Sequence, residues 1–210
     1  MWWVRHHRAH HSYTDTDRDP YNARRGFLFS HIGWLIGLNP SAWGKVDMSD
    51  LQNDPIVRWQ QRYYLIIGLL VSPGLTTAIA HFGWDDWKGG LLYGYYFRMF
   101  VGYQSTFLVN SLAHAPWGGT QPYSDRHTAR NVPGFLAFLS AGEGNHNFHH
   151  TFPSDYRNGL RWFEGDPTAL VIEVCQWLGL AWGLKTTKAS EIEEARRCQI
   201  ERRAAKLSQG

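Results

Sequence analysis

The chain has 210 residues, among them 11 His and 11 Trp, and its formal net charge is +3 with the histidines counted as neutral. This length allows one domain with a core of its own, and so weak a positive charge gives no argument for binding nucleic acid. The two cysteines, Cys175 and Cys198, lack the spacing of a metal site and are expected to be reduced thiols.

The aromatic fraction of 15% is compatible with two classes of protein. Trp and Tyr concentrate where one end of a ring meets water and the other meets lipid, as at a membrane interface. An aromatic-rich soluble core would give the same composition. Composition alone therefore leaves both classes open.

The first 61 residues are polar and irregular, apart from an apolar stretch over 26–38 that predicts an amphipathic helix lying on a surface. Residues 63–82 are almost free of charge and have the length that crosses a bilayer core. Pro73 should kink that helix, which membrane helices tolerate. A second apolar segment over 89–112 carries Arg98, and polar groups within a span tend to face a functional interior.

The connection between these two segments is short and acidic, which favours a transmembrane hairpin over two buried helices of a soluble protein. Both ends of a hairpin lie on one side of the membrane. Only two of the 21 Lys and Arg residues, Lys88 and Arg98, fall within 63–112, so the positive-inside rule predicts that both flanks face the cytosol. The predicted fold is all-α, a transmembrane helical hairpin with a cytosolic helical cap.

The C-terminal part has a helical pattern. Asp166 and Pro167 are typical of a helix start. From Lys185 onward charged residues dominate, which is typical of a solvated helix or tail. We therefore predict one domain over 1–185 and a charged helical tail over 186–210.

Two histidine clusters share the pattern HxxHH. On a helix, positions i, i+3 and i+4 lie on one face, so three imidazoles can converge on one or two metal ions. One such cluster alone is often a solvated or buried histidine patch, but two in one chain argue against chance. The hairpin would bring both clusters to the same membrane face. The candidate ligands are His7, His10, His11, His146, His149 and His150.

A seventh candidate, His114, stands where the second predicted span ends, with Asn110 one helical turn before it. The Asn110 amide could orient a metal-bound water, although a single His at a helix end is more often a cap or a surface residue. The remaining histidines fall outside the repeated pattern and are treated as bystanders: His6, His31, His81 and His127.

The number and type of these ligands favour iron. Seven histidines exceed the three protein ligands of a catalytic zinc site, and the lack of thiolates disfavours structural zinc and iron–sulfur clusters. The repeated unit also differs from the Glu-x-x-His sites of soluble di-iron bundles. Nitrogen ligands suit iron. Carboxylates usually orient such rings, and the candidates for that role are Glu143, Asp15 and Asp17.

Several runs of the sequence resemble one known family. They are HRAHH, NSLAH, DMSDL, DTDRDPYNARRGFLFSHIGW (15–34) and GEGNHNFHHTFPSDYRNG (142–159). These runs resemble the membrane-bound Δ9 acyl-CoA desaturases, the stearoyl-CoA desaturase group. The resemblance extends to about Lys185 and looks closest to members with a fused cytochrome b5 domain.

The resemblance implies a four-helix protein of the endoplasmic reticulum membrane whose cytosolic cap holds two iron ions through nine histidines. The seven candidates above match seven of those nine. Asn110 matches a residue that holds a metal through water. Trp3, Trp34 and Thr106 match positions along a bent acyl tunnel, and Arg5 matches the surface that grips coenzyme A.

The implied reaction forms a cis double bond in a saturated fatty acyl-CoA, such as stearoyl-CoA or palmitoyl-CoA. Cytochrome b5 and its reductase would supply electrons while dioxygen is reduced to water. A lipid membrane is the implied environment, and no nucleic-acid partner is expected.

The chain departs from the family's pattern at its start. The first histidine box, HxxxxH, and the first two membrane spans should precede Met1, so we expect this chain to be the C-terminal part of a longer desaturase. His6 also stands where the family usually has an acid that helps to hold coenzyme A. Three alternatives remain open: an inactive truncated fragment, a non-enzymatic membrane metal-binding protein, and a related di-iron lipid hydroxylase.

Overall fold

Helices account for the regular structure of the chain in a computed structural model, which describes residues 1–37, 40–132, 134, 137, 139–160 and 165–209. Within those ranges the β-pairing is limited to isolated bridges from Asn131 to Thr120 and Asn145. The predicted all-α fold is confirmed for the described part of the chain.

The α-helices of the described residues are α1 (Trp2–Tyr13), α2 (Trp34–Ile36), α3 (Ser49–Asn53), α4 (Pro55–Arg62), α5 (Tyr64–Leu69), α6 (Thr76–Trp84), α7 (Trp87–Gly89), α8 (Arg98–Ser111), α9 (His146–Thr151), α10 (Pro167–Trp177) and α11 (Ala189–Leu207). Shorter 3-10 and π-helical segments join several of them: Ala23–Arg25, Phe29–Gly33, Pro40–Ala42, Leu70–Leu75, Gly90–Phe97 and Leu112–His114. The stretch predicted as a surface helix over 26–38 contains Phe29–Gly33 and α2, and its last residue, Leu38, lies outside the described residues.

One long apolar helix runs from Tyr64 to Trp84 through α5, Leu70–Leu75 and α6. Pro73 has no amide hydrogen for α-helical pairing, and the helix widens around it into the π-helical turn. The mean hydropathy of its most apolar 18-residue window is 1.8, and only 6% of that window is buried. Among the described residues it is the one helix long and apolar enough to cross a membrane, and it coincides with the first predicted span.

A second helical stretch, through α7, Gly90–Phe97 and α8, packs back along the first. A β-carbon built on Gly90 would stand 2.6 Å from the β-carbon of Ala80, so the two backbones approach closely there. Farther along, the Arg98 guanidinium donates to the Ser72 hydroxyl at 2.7 Å. Residues later in the second stretch contact residues earlier in the first helix, so the two are antiparallel, as in a hairpin. Membrane crossing by residues 89–112 stays a prediction.

In the described part of the chain, the cap consists mainly of α1, residues 113–132, residues 139–145 and α9, and small buried clusters hold it together. These clusters are Tyr21, Trp34 and Phe107; Ala113 and Val132; and Tyr123, Phe148 and Ile192. The first cluster fastens the segment after α1 to α8, and the third fastens α9 to α11. The elements that carry the histidines are thereby held together.

The first of the two C-terminal helices begins at the predicted start. Asp166 caps α10, because its Oδ1 accepts the Ala169 N–H at 3.0 Å. The charged segment forms α11, which lies against the cap with Ile192 buried. Arg202 and Lys206 donate to the two carboxylate oxygens of Asp125 at 3.0 and 2.6 Å. One face of this helix is thus docked, while the division of the chain at 185 stays a prediction.

Candidate metal centre

The first histidine cluster lies in α1, whose periodicity sets His7, His10 and His11 on one face. Arg8 anchors the helix elsewhere, because its guanidinium donates to both carboxylate oxygens of Asp50 at 2.7 and 2.6 Å. That fork-to-fork pair limits rotation of the helix. The histidine face is left to point into the cap.

The second cluster is α9 itself. Asn147 faces away from the histidines, where its Oδ1 accepts the Tyr123 N–H at 2.9 Å and its Nδ2 donates to the Ala129 carbonyl at 2.9 Å. Phe148 is buried edge-on against Tyr123, with ring centroids 5.5 Å apart. Because these two residues fix the opposite face, the three histidines of α9 are presented to α1.

Four histidines from three parts of the chain converge through their Nε2 atoms. His10 Nε2 lies 3.2 Å from His150 Nε2, which lies 3.0 Å from His146 Nε2. His146 Nε2 in turn lies 2.9 Å from His114 Nε2. Their ligand nitrogens all lie within 4.8 Å of one another, and His10, His114 and His146 are buried. We call this set the four-histidine group.

His7, His11 and His149 form an adjoining three-histidine group, also within 4.8 Å. His7 Nε2 lies 3.2 Å from His11 Nε2 and 3.4 Å from His149 Nε2. The two groups touch, because the His11 ring stacks on the His150 ring with centroids 4.3 Å apart. All seven histidines singled out in the sequence are therefore brought together.

The donor set fits metal ions that bind imidazole. A metal–nitrogen bond of about 2.1 Å sets neighbouring ligand nitrogens about 3.0 Å apart in an octahedral arrangement and about 3.4 Å apart in a tetrahedral one. The Nε2 separations of 2.9–3.4 Å fall in that range. Where two neutral imidazoles meet through their Nε2 atoms, at most one hydrogen bond can form between them. A metal ion shared by the rings engages the Nε2 lone pair of each. No thiolate or carboxylate joins either group among the described residues.

Burial keeps the histidines in the neutral form that binds metal. Desolvation, reinforced by neighbouring imidazoles, lowers the pKa of His7 to about 3 and that of His149 to about 4. The same causes hold the pKa values of four further histidines well below the ordinary value: His11, His114, His146 and His150. At neutral pH these rings offer lone pairs rather than protons.

Two ligand rings have partners on the side away from the centre. His10 Nδ1 lies 2.8 Å from Asp19 Oδ1, and His114 Nδ1 lies 2.8 Å from Thr128 Oγ1. The Thr128 hydroxyl donates to Asp15 Oδ1 at 2.6 Å. Asp15, expected from the sequence to orient a ring, therefore acts on His114 only through Thr128.

The other predicted site residues differ in what they contact around the centre. Asn110 is buried on α8 one turn before His114. Trp3 stacks on the His7 ring with centroids 4.7 Å apart. Trp34 is buried against Tyr21, whose ring lies 5.1 Å from that of His10. Trp34 thus contacts the centre through one intervening side chain.

Arg5 and Thr106 are not in either histidine group. Arg5 is exposed and lines a cavity of about 480 Å³ together with His6, Trp43 and Lys45. Thr106 is exposed on α8, and its hydroxyl donates to the Gly102 carbonyl one turn back. Their assignment to substrate binding stays a prediction.

Two of the three candidate orienting acids lie elsewhere. Glu143 accepts from the Asn158 amide at 3.4 Å, and burial raises its pKa to about 7, with a further contribution from the nearby Asp166 carboxylate. Asp17 is exposed. The histidines treated as bystanders stay outside both groups in the described part of the chain: His6, His31, His81 and His127.

Sequence reasoning did not identify Asp19 or Thr128 as part of the site. The position of Asp19 could have indicated a role in the site, since it follows Asp15 in the loop directly after the first HxxHH. Acids in such a loop are also typical turn formers, so the pattern alone does not assign Asp19 to the site. Thr128 carries no local signal, because its role depends on a contact with a residue 113 positions away.

The three-histidine group is the more accessible of the two. A cavity of about 480 Å³ is lined by His7, His11 and His149 together with Lys45. The four-histidine group borders a smaller groove of about 310 Å³, at His150 beside α11. Small molecules can therefore approach the two groups from different sides.

Comparison with known proteins finds related sequences over the whole chain. The profile of the fatty acid desaturase family matches residues 1–183. The chain is 44% identical over its whole length to "Probable acyl-CoA desaturase" of Schizosaccharomyces pombe and to "Acyl-CoA desaturase 1" of Saccharomyces cerevisiae, of which it covers 44% and 41%. Over 91% of its length it is 40% identical to "Stearoyl-CoA desaturase 5" of Homo sapiens, of which it covers 58%. The chain thus spans about half the length of these relatives.

Proposed function

The chain belongs to the fatty acid desaturase family, and we propose that it is the metal-binding portion of an acyl-CoA desaturase that forms a cis double bond, at the Δ9 position, in a saturated fatty acyl-CoA. The observation that carries this proposal is the convergence of seven imidazoles, from α1, from the turn Leu112–His114 and from α9, on two adjoining groups. The names of the relatives support acyl-CoA as the substrate class.

The proposed metal is iron, with one ion held by the four-histidine group and a second by the three-histidine group. Bound iron supplies the dioxygen activation that oxidation of an unactivated C–H bond requires. The reaction balances when one dioxygen, two electrons and two protons convert –CH2–CH2– into –CH=CH– and two waters. The protein contributes nitrogen ligands, three of them on the buried residues His10, His114 and His146, and the Asn110 amide would orient a water at the centre.

The proposed substrate residues follow the path from the centre to the surface. Trp3 would line the path of the acyl chain near the three-histidine group, because it stacks on His7. Trp34 would line it near the four-histidine group, because it packs on Tyr21 beside His10. Thr106 would line the same path from α8. Arg5 would bind the phosphates of coenzyme A, since it is exposed beside a cavity that also receives Lys45.

The proposed partners are cytochrome b5 and its reductase as electron donors in unsaturated fatty acid biosynthesis. The proposed location is the endoplasmic reticulum membrane, with the hairpin as a multi-pass anchor and the cap in the cytosol. The apolar helix Tyr64–Trp84 and the concentration of Lys and Arg outside 63–112 support that orientation.

The proposal is tested by transplanting the chain into a relative that covers the remaining length. Residues 1–210 replace the matching segment of the Saccharomyces cerevisiae relative, and cells lacking their own desaturase are fed labelled stearate. We expect labelled oleate from the chimera and none from the same chimera carrying His146→Ala. A stably produced, iron-loaded chimera that forms no oleate would contradict the proposal. A hydroxylated product would instead favour the lipid hydroxylase.

A further inference from the structure

The loop after α1 carries two buried carboxylates, Asp15 and Asp19, that belong to neither histidine group. Asp19 Oδ1 accepts from His10 Nδ1 at 2.8 Å and from the Tyr21 N–H at 2.9 Å. Its other oxygen accepts the Asp15 N–H at 2.9 Å, where Asp15 adopts the left-handed conformation with φ of 64°. Asp19 therefore holds one ligand ring and also the backbone of the second acid.

Asp15 reaches the opposite end of the four-histidine group through Thr128. Its carboxylate accepts the Thr128 N–H at 2.7 Å and the Thr128 hydroxyl at 2.6 Å. Because the hydroxyl gives its single hydrogen to Asp15, its lone pair has to accept from His114 Nδ1, which lies 2.8 Å away. His114 then carries its proton on Nδ1, and its Nε2 lone pair faces the centre.

The same argument applies to His10, since a carboxylate can only accept. His10 and His114 occupy the two ends of the run of Nε2 contacts from His10 through His150 and His146 to His114. His146 Nδ1 has no hydrogen-bond partner among the described residues. When the two end rings are fixed, their Nε2 lone pairs point in defined directions. The rings of His146 and His150 then have to fit between those lone pairs.

We infer that Asp19 and the Asp15–Thr128 pair are positioning residues that lock the tautomer and ring orientation of His10 and His114 in the four-histidine group. This inference rests on the proposed metal centre. Partners of this kind usually change metal affinity by about 10- to 100-fold when removed. They do not touch the metal or the substrate, so their effect has to appear first in metal binding.

The test uses Co²⁺ as a spectroscopic probe with the full chain in detergent micelles. Thr128→Val keeps the shape of the side chain and the Thr128 N–H bond to Asp15 but removes the hydroxyl relay. We expect Co²⁺ affinity to fall by about 10- to 100-fold and the ligand-field absorption to change, with Thr128→Ser restoring both to within about threefold of wild type. Asp19→Asn should also weaken binding, because an amide can present its NH2 group to His10 and reverse the tautomer.

The matched control is Thr151→Val, next to His150, whose hydroxyl donates only to the Asn147 carbonyl in its own helix. It should leave Co²⁺ affinity unchanged, and circular dichroism of the metal-free variants checks that they are folded. Wild-type affinity and spectrum in a folded Thr128→Val chain would overturn the inference while leaving the metal centre intact. A wild-type chain that binds no Co²⁺ would overturn the proposed centre and this inference with it.

Discussion

His10 Nε2 and His150 Nε2 lie 3.2 Å apart although 140 positions separate them in the sequence. This contact joins the two HxxHH motifs into one centre. It requires α1 and α9 to face each other across the cap, which the bidentate Arg8–Asp50 pair and the buried Phe148 both support.

Removal of one end ligand should abolish tight metal binding. We expect His10→Ala to lower the affinity of the four-histidine group by more than about 100-fold, because one lone pair and the Asp19-locked ring are both lost. Metal content after purification and Co²⁺ titration measure the effect. His81→Ala is the control, since His81 is exposed and lies outside both groups. Equal losses in both variants would argue against a specific site.

The metal-free chain should lose stability as the solution becomes acidic. The pKa values of His7 and His149 are lowered in the folded state to about 3 and about 4, from an ordinary value near 6.5. The unfolded chain therefore binds more protons below about pH 6.5, and stability falls as pH decreases from there toward the folded-state values. Thermal unfolding followed by circular dichroism between about pH 7.5 and about pH 5 should show a decreasing midpoint. A midpoint that rises on acidification would contradict burial of these rings.

Glu143→Gln should stabilise the cap at alkaline pH. Burial raises the pKa of Glu143 to about 7 in the folded chain, whereas the pKa in the unfolded chain is near 4.5. The protonated carboxyl therefore contributes its full stability below about pH 4.5, and this contribution is lost as pH rises through about 7. The neutral amide avoids the cost of burying a charge, and we expect a gain of about 2 kcal/mol near pH 8. Near pH 4.5 the gain should vanish.

The matched control for this change is Glu194→Gln on the exposed face of α11. It should leave the unfolding midpoint unchanged at both pH values. A Glu143→Gln variant that is no more stable than wild type near pH 8 would show that this carboxyl is hydrated rather than buried.

The hairpin should depend on the absence of a side chain at Gly90. A β-carbon there would lie 2.6 Å from Ala80 Cβ and 3.0 Å from Thr77 Cα, so the helices have to separate in Gly90→Ala. Overpacking of this kind costs about 1–3 kcal/mol. Thermal unfolding in micelles measures the loss. Gly102→Ala is the control, because a β-carbon at Gly102 meets nothing within 4 Å; an equal response of the two variants would argue against the close approach.

Features that depend on local spacing could be predicted from the order of the residues. Helical periodicity set the three histidines of each motif on one face, Asp166 and Pro167 set the start of α10, and the charge-free run over 63–82 determined the long apolar helix. These features follow from the geometry of a helix and the polarity of neighbouring residues. They predict the helical fold and the seven candidate ligands. They do not predict which of the seven histidines lie in the same group.

Which histidines share a group depends on how the helices pack against one another. Sequence pattern places His7, His10 and His11 together, yet His10 joins the four-histidine group and the other two join His149. The roles of Asp19 and Thr128 were decided in the same way, because a hydrogen bond between distant segments depends on how the loops pack and on which buried donors need acceptors. Local periodicity fixes the direction of a side chain, but only the packed chain fixes its partner.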